Sequence, residues 1–329
     1  MRNWRFWFGF IISAVFLYLA FHKVNLQQMI TAFSAVRVWY IVLAVIIYLF
    51  GLWIRAYRWK FLVNPVKQIP NTRLFPIMII GYMANNVLPL RMGDIYRAYV
   101  LGKKENISKS ASLATIVVER IFDGLSMIMF LVIGLFALQS HPLFTPQERT
   151  IIFFLSSSLL ALFFFLMLMI WKRKLAESIL HWGTGCLPTR FGGKCQRWSS
   201  AFLDGLTVLR SGSVTIIVLG LSLFSWLIEA VMYLFVGYAM QLVVPYYAGP
   251  IILAVSNLGM MIPSSPGAIG TFEYFFARSA TLFSIDSTVA VSYAILVHAL
   301  WWLPITILGF VYMTKEHISF SLKYTKENE

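Results

Sequence analysis

Apolar residues fill most of the chain in blocks of about twenty, the length that crosses a bilayer, and short polar clusters separate them. Six blocks predict full spans, at about 4–22, 38–60, 111–138, 150–171, 214–240 and 288–313. The first follows Arg2 and Arg5, as a secretion signal would. Its apolar core is long and no small-x-small site follows, so it reads as an uncleaved span. After it, Leu26, Met29, Ile30 and Phe33 recur at helical spacing and predict an amphipathic helix on the outer surface. The long polar stretch from about 172 to 213 carries Trp198, Phe202, Leu206 and Leu209, which predict an interfacial helix forming a cytoplasmic elbow between two halves.

Two stretches break the pattern. The run Leu74–Leu88 is too short to span, and Pro89 stops it. Gly93 permits a reversal and Asp94 is placed to cap a new helix from Ile95. Lys67 and Arg73 precede this stretch and Lys103, Lys104 and Lys109 follow it, so both ends share one side. Residues 74–102 therefore read as a re-entrant hairpin with its tip near mid-membrane. A second interruption, within 248–284, falls at Pro263-Ser264-Ser265-Pro266-Gly267. Both breaks read Pro-x-x-x-Gly, and each half has the order span, span, hairpin, span. The fold expected is all-α and membrane-integral, with six full spans and two re-entrant helical hairpins in an inverted 3+3 repeat. The chain, 1–329, is read as one membrane domain with repeats at about 1–138 and 150–313.

Composition agrees: 59% of the 329 residues are hydrophobic and 12% charged, with a mean hydropathy of +0.76. A net charge of +14 would suggest nucleic acid for a soluble protein. Here it follows orientation, so no nucleic-acid partner is expected. With the N-terminus inside, the outer loops hold only Lys23, Arg37 and Arg149, while the other basic residues placed, Arg55, Arg58 and Lys60 among them, fall to the cytoplasmic side. A multi-pass cell-membrane protein with both termini in the cytoplasm is expected. Cys186 and Cys195 read as free thiols.

Chemistry gathers at the breaks. Each places a helix N-terminus near the midplane, and such termini bind anions. The first is preceded by Asn85 and Asn86 and carries Arg91, Gly93, Asp94 and Arg97. The second carries Pro263, Ser265, Gly267, Gly270 and Glu273, with Ser265 as N-cap and Pro266 at the first helical position. Arg91 and Arg97 offer forked donors suited to a phosphate, or pair with Asp94 and merely pin the hairpin. Glu119, Arg120 and Asp123 lie within the third span, where a lipid-facing charge costs roughly 2.5–3.5 kcal/mol, so they must face the interior. They read as counter-charges for Arg91 or Arg97, or as proton carriers. Glu273 is expected to face a central cavity and Glu229 to pair in the interior; His298 with Trp301 and Trp302 reads as interfacial packing rather than a metal site. No Walker loop, metal-ligand spacing or Gly-x-Ser-x-Gly occurs, so no catalytic residue, cofactor or metal is expected.

The ordered motifs Asn86-x-x-Pro89-x-Arg91-x-Gly93-Asp94-x-x-Arg97, Glu119-Arg120-x-x-Asp123 and Pro263-x-x-Pro266-Gly267-x-x-Gly270-x-x-Glu273 resemble the lysylphosphatidylglycerol synthase membrane-region family, also called flippase-like. The resemblance covers nearly the whole chain. It implies a prokaryotic multi-pass protein and, since no soluble synthase domain is read here, movement of a lipid between leaflets rather than its synthesis. The expected partner is a membrane lipid, either a phospholipid or a polyprenyl-phosphate-linked sugar. The rival readings are a membrane-embedded glycosyltransferase and an accessory subunit of a separate synthase or glycosyltransferase. The oligomeric state and the identity of the lipid stay open.

Overall fold

Leu88 is where the first interruption takes shape. Its backbone is extended (φ −91°, ψ 144°), as a residue before proline must be, and it ends the helix Asn71–Val87. The computed structural model describes residues 4–88, 92–139, 145–172, 178, 212–316 and 318. Pro89, Leu90 and Arg91, expected at the hairpin tip, and nearly all of the expected elbow, with Cys186 and Cys195, lie outside the described residues.

Every element among the described residues is helical apart from turns. In chain order they are α1 (Trp4–Phe21), α2 (Leu26–Ser34), α3 (Val38–Val63), α4 (Asn71–Val87), α5 (Gly93–Glu105), α6 (Lys109–Gln139), α7 (Pro146–Trp171), α8 (Gly212–Ala239), α9 (Ala248–Gly259), a 3₁₀ turn (Pro266–Ala268), α10 (Thr271–Thr281) and α11 (Ser287–Lys315). Three of these, α3, α8 and α11, are long and apolar enough to cross a membrane. The pair α1 and α2, bent by 84° between Phe21 and Leu26, adds a broken fourth. This is the architecture of an integral membrane protein.

The core forms where α3 lies along α8, with α4, α6, α9 and α11 packed around them. Partners exchange regularly between the halves. The pair α4 and α11 is matched by α9 and α6, α5 and α6 by α10 and α11, and α3 and α4 by α8 and α9. The N-terminal pair departs from this scheme: α1 lies on α10, and α2 on α11.

Close approach of α4 and α5 depends on glycine. A Cβ on Gly93 would sit 2.2 Å from the Gly81 carbonyl oxygen and 2.4 Å from the Asn85 nitrogen. Helix α5 starts at Gly93 itself, with Met92 at the cap position and no side-chain capping bond. The expected cap by Asp94 is therefore corrected: its carboxylate is taken by Arg120, whose two parallel charge-assisted bonds outweigh one backbone cap. Ser265 is corrected likewise. It forms no capping bond and Pro266 opens only one 3₁₀ turn, while α10 begins after Gly270.

Arg55 and Arg58 are also corrected. They do not sit in a cytoplasmic loop, because α3 continues to Val63 and both are buried, at 7% and 0% exposure. Their charge is met inside the protein.

Candidate functional site

Glu119, Arg120 and Asp123 follow one another on α6 so that Glu119 and Asp123 share a face, while Arg120 projects about 100° further round. The acidic face turns towards α3 and α8, and Arg120 turns towards α5. Arg58, entering from α3, donates to Asp123 Oδ1 at 2.7 Å and to Ser222 Oγ at 2.8 Å, and lies 3.1 Å from Glu119 Oε1. Arg97, from α5, grips Glu119 with both ends of its fork, at 3.2 and 2.9 Å. Tyr82 adds a hydroxyl to Glu119 at 3.2 Å, and Trp226 donates its indole N–H to Asp123 at 2.8 Å.

The other limb reaches the surface. Arg120 holds Asp94 at 3.0 and 2.9 Å and Asp123 at 3.1 Å, and Asn85 donates to Asp94 at 3.3 Å. Side-chain exposure rises from 0% at Arg58, Arg97 and Glu119 to 22% at Asp94 and 36% at Arg120. One turn beyond Arg120, a Cβ added to Gly124 would meet nothing within 4 Å, so that side of α6 is open. Arg55 pairs with Glu229 beside the inner limb, and its guanidinium lies 3.9 Å over the Trp226 ring. Tyr48, Gly51, Leu52 and Ser225 line the pair, with no room left there for a water molecule.

The cluster is charge-balanced. Arg55, Arg58, Arg97 and Arg120 face Asp94, Glu119, Asp123 and Glu229. A surplus of positive charge, expected from Arg91 and Arg97, is not present among the described residues, because Glu119 fills the fork of Arg97. Arg97 also stacks 3.5 Å over the Trp59 ring. The Nε atoms of Arg55, Arg58 and Arg97 are buried with no hydrogen-bond partner, which costs free energy inside the bundle.

A second cluster forms at the later break. Glu273 Oε2 accepts from the Gly270 N–H at 2.6 Å, so the carboxylate caps its own helix, and Oε1 pairs with His298 Nδ1. Glu273 is 6% exposed and both its oxygens are occupied, so it does not front a cavity as expected. His298 does stack on Trp301, at 4.6 Å and 13°. Its other tie, to a carboxylate 25 positions earlier, has no signature at helical spacing.

The two breaks touch. Asn86 donates to Thr306 Oγ1 at 3.0 Å and to the Trp302 carbonyl at 3.3 Å on α11. A Cβ on Gly267 would stand 3.5 Å from the Asn86 carbonyl oxygen and 2.7 Å from Trp302 Nε1. The Ser265 N–H donates to Ser13 Oγ on α1 at 2.8 Å, and Pro263 lies exposed outside any helix.

The structure thus joins Asp94, Arg97, Glu119, Arg120 and Asp123 in one network and groups Asn86 with Gly267, and Gly270 with Glu273. Sequence reading missed Arg58, Arg55 and Ser222. A signal existed: Arg55 and Arg58 are three apart, on one face of an apolar helix, as the carboxylates of α6 are four apart.

Residues 6–309 match the family model described as the lysylphosphatidylglycerol synthase TM region. A UPF0104 membrane protein of Methanocaldococcus jannaschii is 22% identical over 313 residues, covering 92% of this chain and 92% of that protein. A second from that organism is 26% identical over 225 residues, 68% of this chain and 90% of the relative. A UPF0104 membrane protein of Methanothermobacter thermautotrophicus is 25% identical over 283 residues, 83% of this chain and 82% of the relative.

Proposed function

The chain belongs to the lysylphosphatidylglycerol synthase TM region family, and on that premise we propose that it moves an anionic lipid or lipid-linked head group between leaflets. The observation that carries this reading is the graded network: eight charges among apolar helices, sealed at Arg58 and Glu119 and open at Asp94 and Arg120. Charge at such depth is costly and is retained chiefly for function. A phosphate arriving at the open end exchanges with Asp94 for the Arg120 fork, and Arg91 at the tip is the second cation assigned to it. Asn86, Gly93, Gly267 and Gly270 shape the backbone where the two breaks meet.

Six spans and two hairpins in an inverted repeat are part of this proposal. The exchange of packing partners between α3 to α6 and α8 to α11 supports it. In such a repeat the halves rock about a midplane site, opening it to each leaflet in turn. The cell membrane, with both termini in the cytoplasm, is the assigned location.

The test is transfer of labelled phosphatidylglycerol between leaflets of vesicles holding the purified protein. Parent protein is expected to move it, and Arg120→Ala and Arg91→Ala to do so at least tenfold more slowly. A second reading, an accessory subunit of a synthase, draws on the family's description, which names a region of a synthase. Co-purification of a synthase with no transport by the chain alone would favour it.

A further inference from the structure

The exchange of partners that maps α5 and α6 onto α10 and α11 also maps one ion pair onto another. Arg97 reaches from α5 to Glu119, ten residues after the start of α6 at Lys109. Glu273 reaches from α10 to His298, eleven residues after the start of α11 at Ser287. Each hairpin is therefore tied by an ion pair to the span that follows it, about three turns along that span, the first hairpin having Asp94–Arg120 as well. The chemistry of the two ties differs. A guanidinium stays charged at any accessible pH, whereas imidazole is the side chain whose ordinary charge change falls between about pH 5 and pH 8.

We propose that the Glu273–His298 pair is a proton-binding site through which the proton gradient drives the second hairpin; this rests on the translocase reading above. The ionised carboxylate holds two things at once. Oε2 fixes the Gly270 N–H, at a residue whose φ of +93° already demands glycine, and Oε1 holds α11 through His298. A proton entering the pair rests on the more basic imidazole and turns the tie into a full ion pair. The N-terminus of α10 and the break before it are then clamped to α11, and loss of the proton to the other side loosens the tie.

The Glu273 carboxylate meets the His298 ring nitrogen and the Gly270 N–H. On α1, which lies on α10, Tyr18 is exposed. Helix α9 carries no ionisable residue, and α10 adds only Tyr274 and the exposed Arg278. On α3 and α8, Arg55, Arg58 and Glu229 are engaged in ion pairs, and on α4 Tyr82 donates to Glu119. Tyr293 of α11 donates to the Tyr233 carbonyl of α8, and Lys315 ends α11. Phe272 and Trp301 pack against the imidazole, with ring centres 4.9 and 4.6 Å away.

Two measurements test this. Purified protein carrying ¹³C-labelled histidine is titrated in micelles from about pH 5 to about pH 8. Five histidines give signals, and His298 is the one absent from His298→Gln or, should that variant not fold, the one whose midpoint moves in Glu273→Gln. A titrating signal with a midpoint shifted by about half a unit or more in Glu273→Gln is expected. A signal flat over the range overturns the site. In vesicles, a pH difference of about one unit should change the rate of labelled phosphatidylglycerol transfer by about threefold, a protonophore should cancel the change, and the ratio should fall to one in Glu273→Gln. Transfer indifferent to the gradient in the parent overturns the coupling while leaving translocation intact. A titrating His298 with no lipid transfer in any preparation keeps the proton site and sinks the translocase reading instead.

Discussion

Arg58 and Asp123, 65 positions apart, meet at 2.7 Å inside the helix bundle, and the same guanidinium lies 3.1 Å from Glu119. One arginine of α3 thus holds both carboxylates of α6. Glu119 is held besides by Arg97 and Asp123 by Arg120, so each acid has two cationic partners.

Removing that arginine should be severe. Arg58→Ala leaves two buried carboxylates with less than their counter-charge, at an expected cost of about 3–5 kcal/mol. Adding Asp123→Asn to Arg58→Ala should restore part of it, since one uncompensated charge is gone. Thermal or denaturant unfolding of the purified protein in detergent, run as a double-mutant cycle, gives the coupling directly.

The open end should behave differently. Arg120 is 36% exposed, and its partners Asp94 and Asp123 keep Asn85 and Arg58, so Arg120→Ala is expected to lower stability by less than Arg58→Ala does. Its loss should fall on lipid transfer instead. A variant with parental unfolding and slowed transfer separates the two limbs of the network; a strong stability loss at Arg120 would place it with Arg58 as structural.

Glycine positions offer a matched pair. Gly93→Ala forces a Cβ into the Gly81 carbonyl and should destabilise by about 1–3 kcal/mol or more. Gly124→Ala, facing open space on α6, should be neutral or raise stability by up to about 1 kcal/mol through helix propensity. Unfolding midpoints and elution profiles of the two variants check this.

Contact between the breaks can be trapped. Asn86 Nδ2 lies 3.0 Å from Thr306 Oγ1, so cysteines at both positions, with Cys186 and Cys195 replaced by serine, should react with a short bifunctional thiol reagent. Failure to link would mean that α4 and α11 part at this level. If the halves rock, linked protein should also stop moving lipid.

Much of the helix order was legible because apolar block length and the residue before a proline act locally. The block 38–60 and helix α3, Val38–Val63, differ by three residues at one end. Those residues matter: counting arginines at the end of a span as loop charges moved Arg55 and Arg58 out of the protein. The rule for orientation is statistical, and a pair of carboxylates on a neighbouring helix overrides it. Asp94 failed in the same way, where a local capping preference lost to a partner 26 residues away. The tie between Glu273 and His298 was hidden because both sit among apolar neighbours at no helical spacing. Motif spacing did bring Arg97, Glu119 and Asp123 to one place, since buried charges in an apolar helix have few positions to go.

The most direct measurement is leaflet exchange by one protein under two substitutions. Vesicles holding parent protein, Arg120→Ala or Gly124→Ala are loaded with head-group-labelled phosphatidylglycerol, and outer-leaflet label is quenched over time. The account predicts rapid loss of protected label with the parent and Gly124→Ala, and protection retained at least about tenfold longer with Arg120→Ala. Equal rates for the parent and Arg120→Ala, or no exchange above protein-free vesicles, would contradict it.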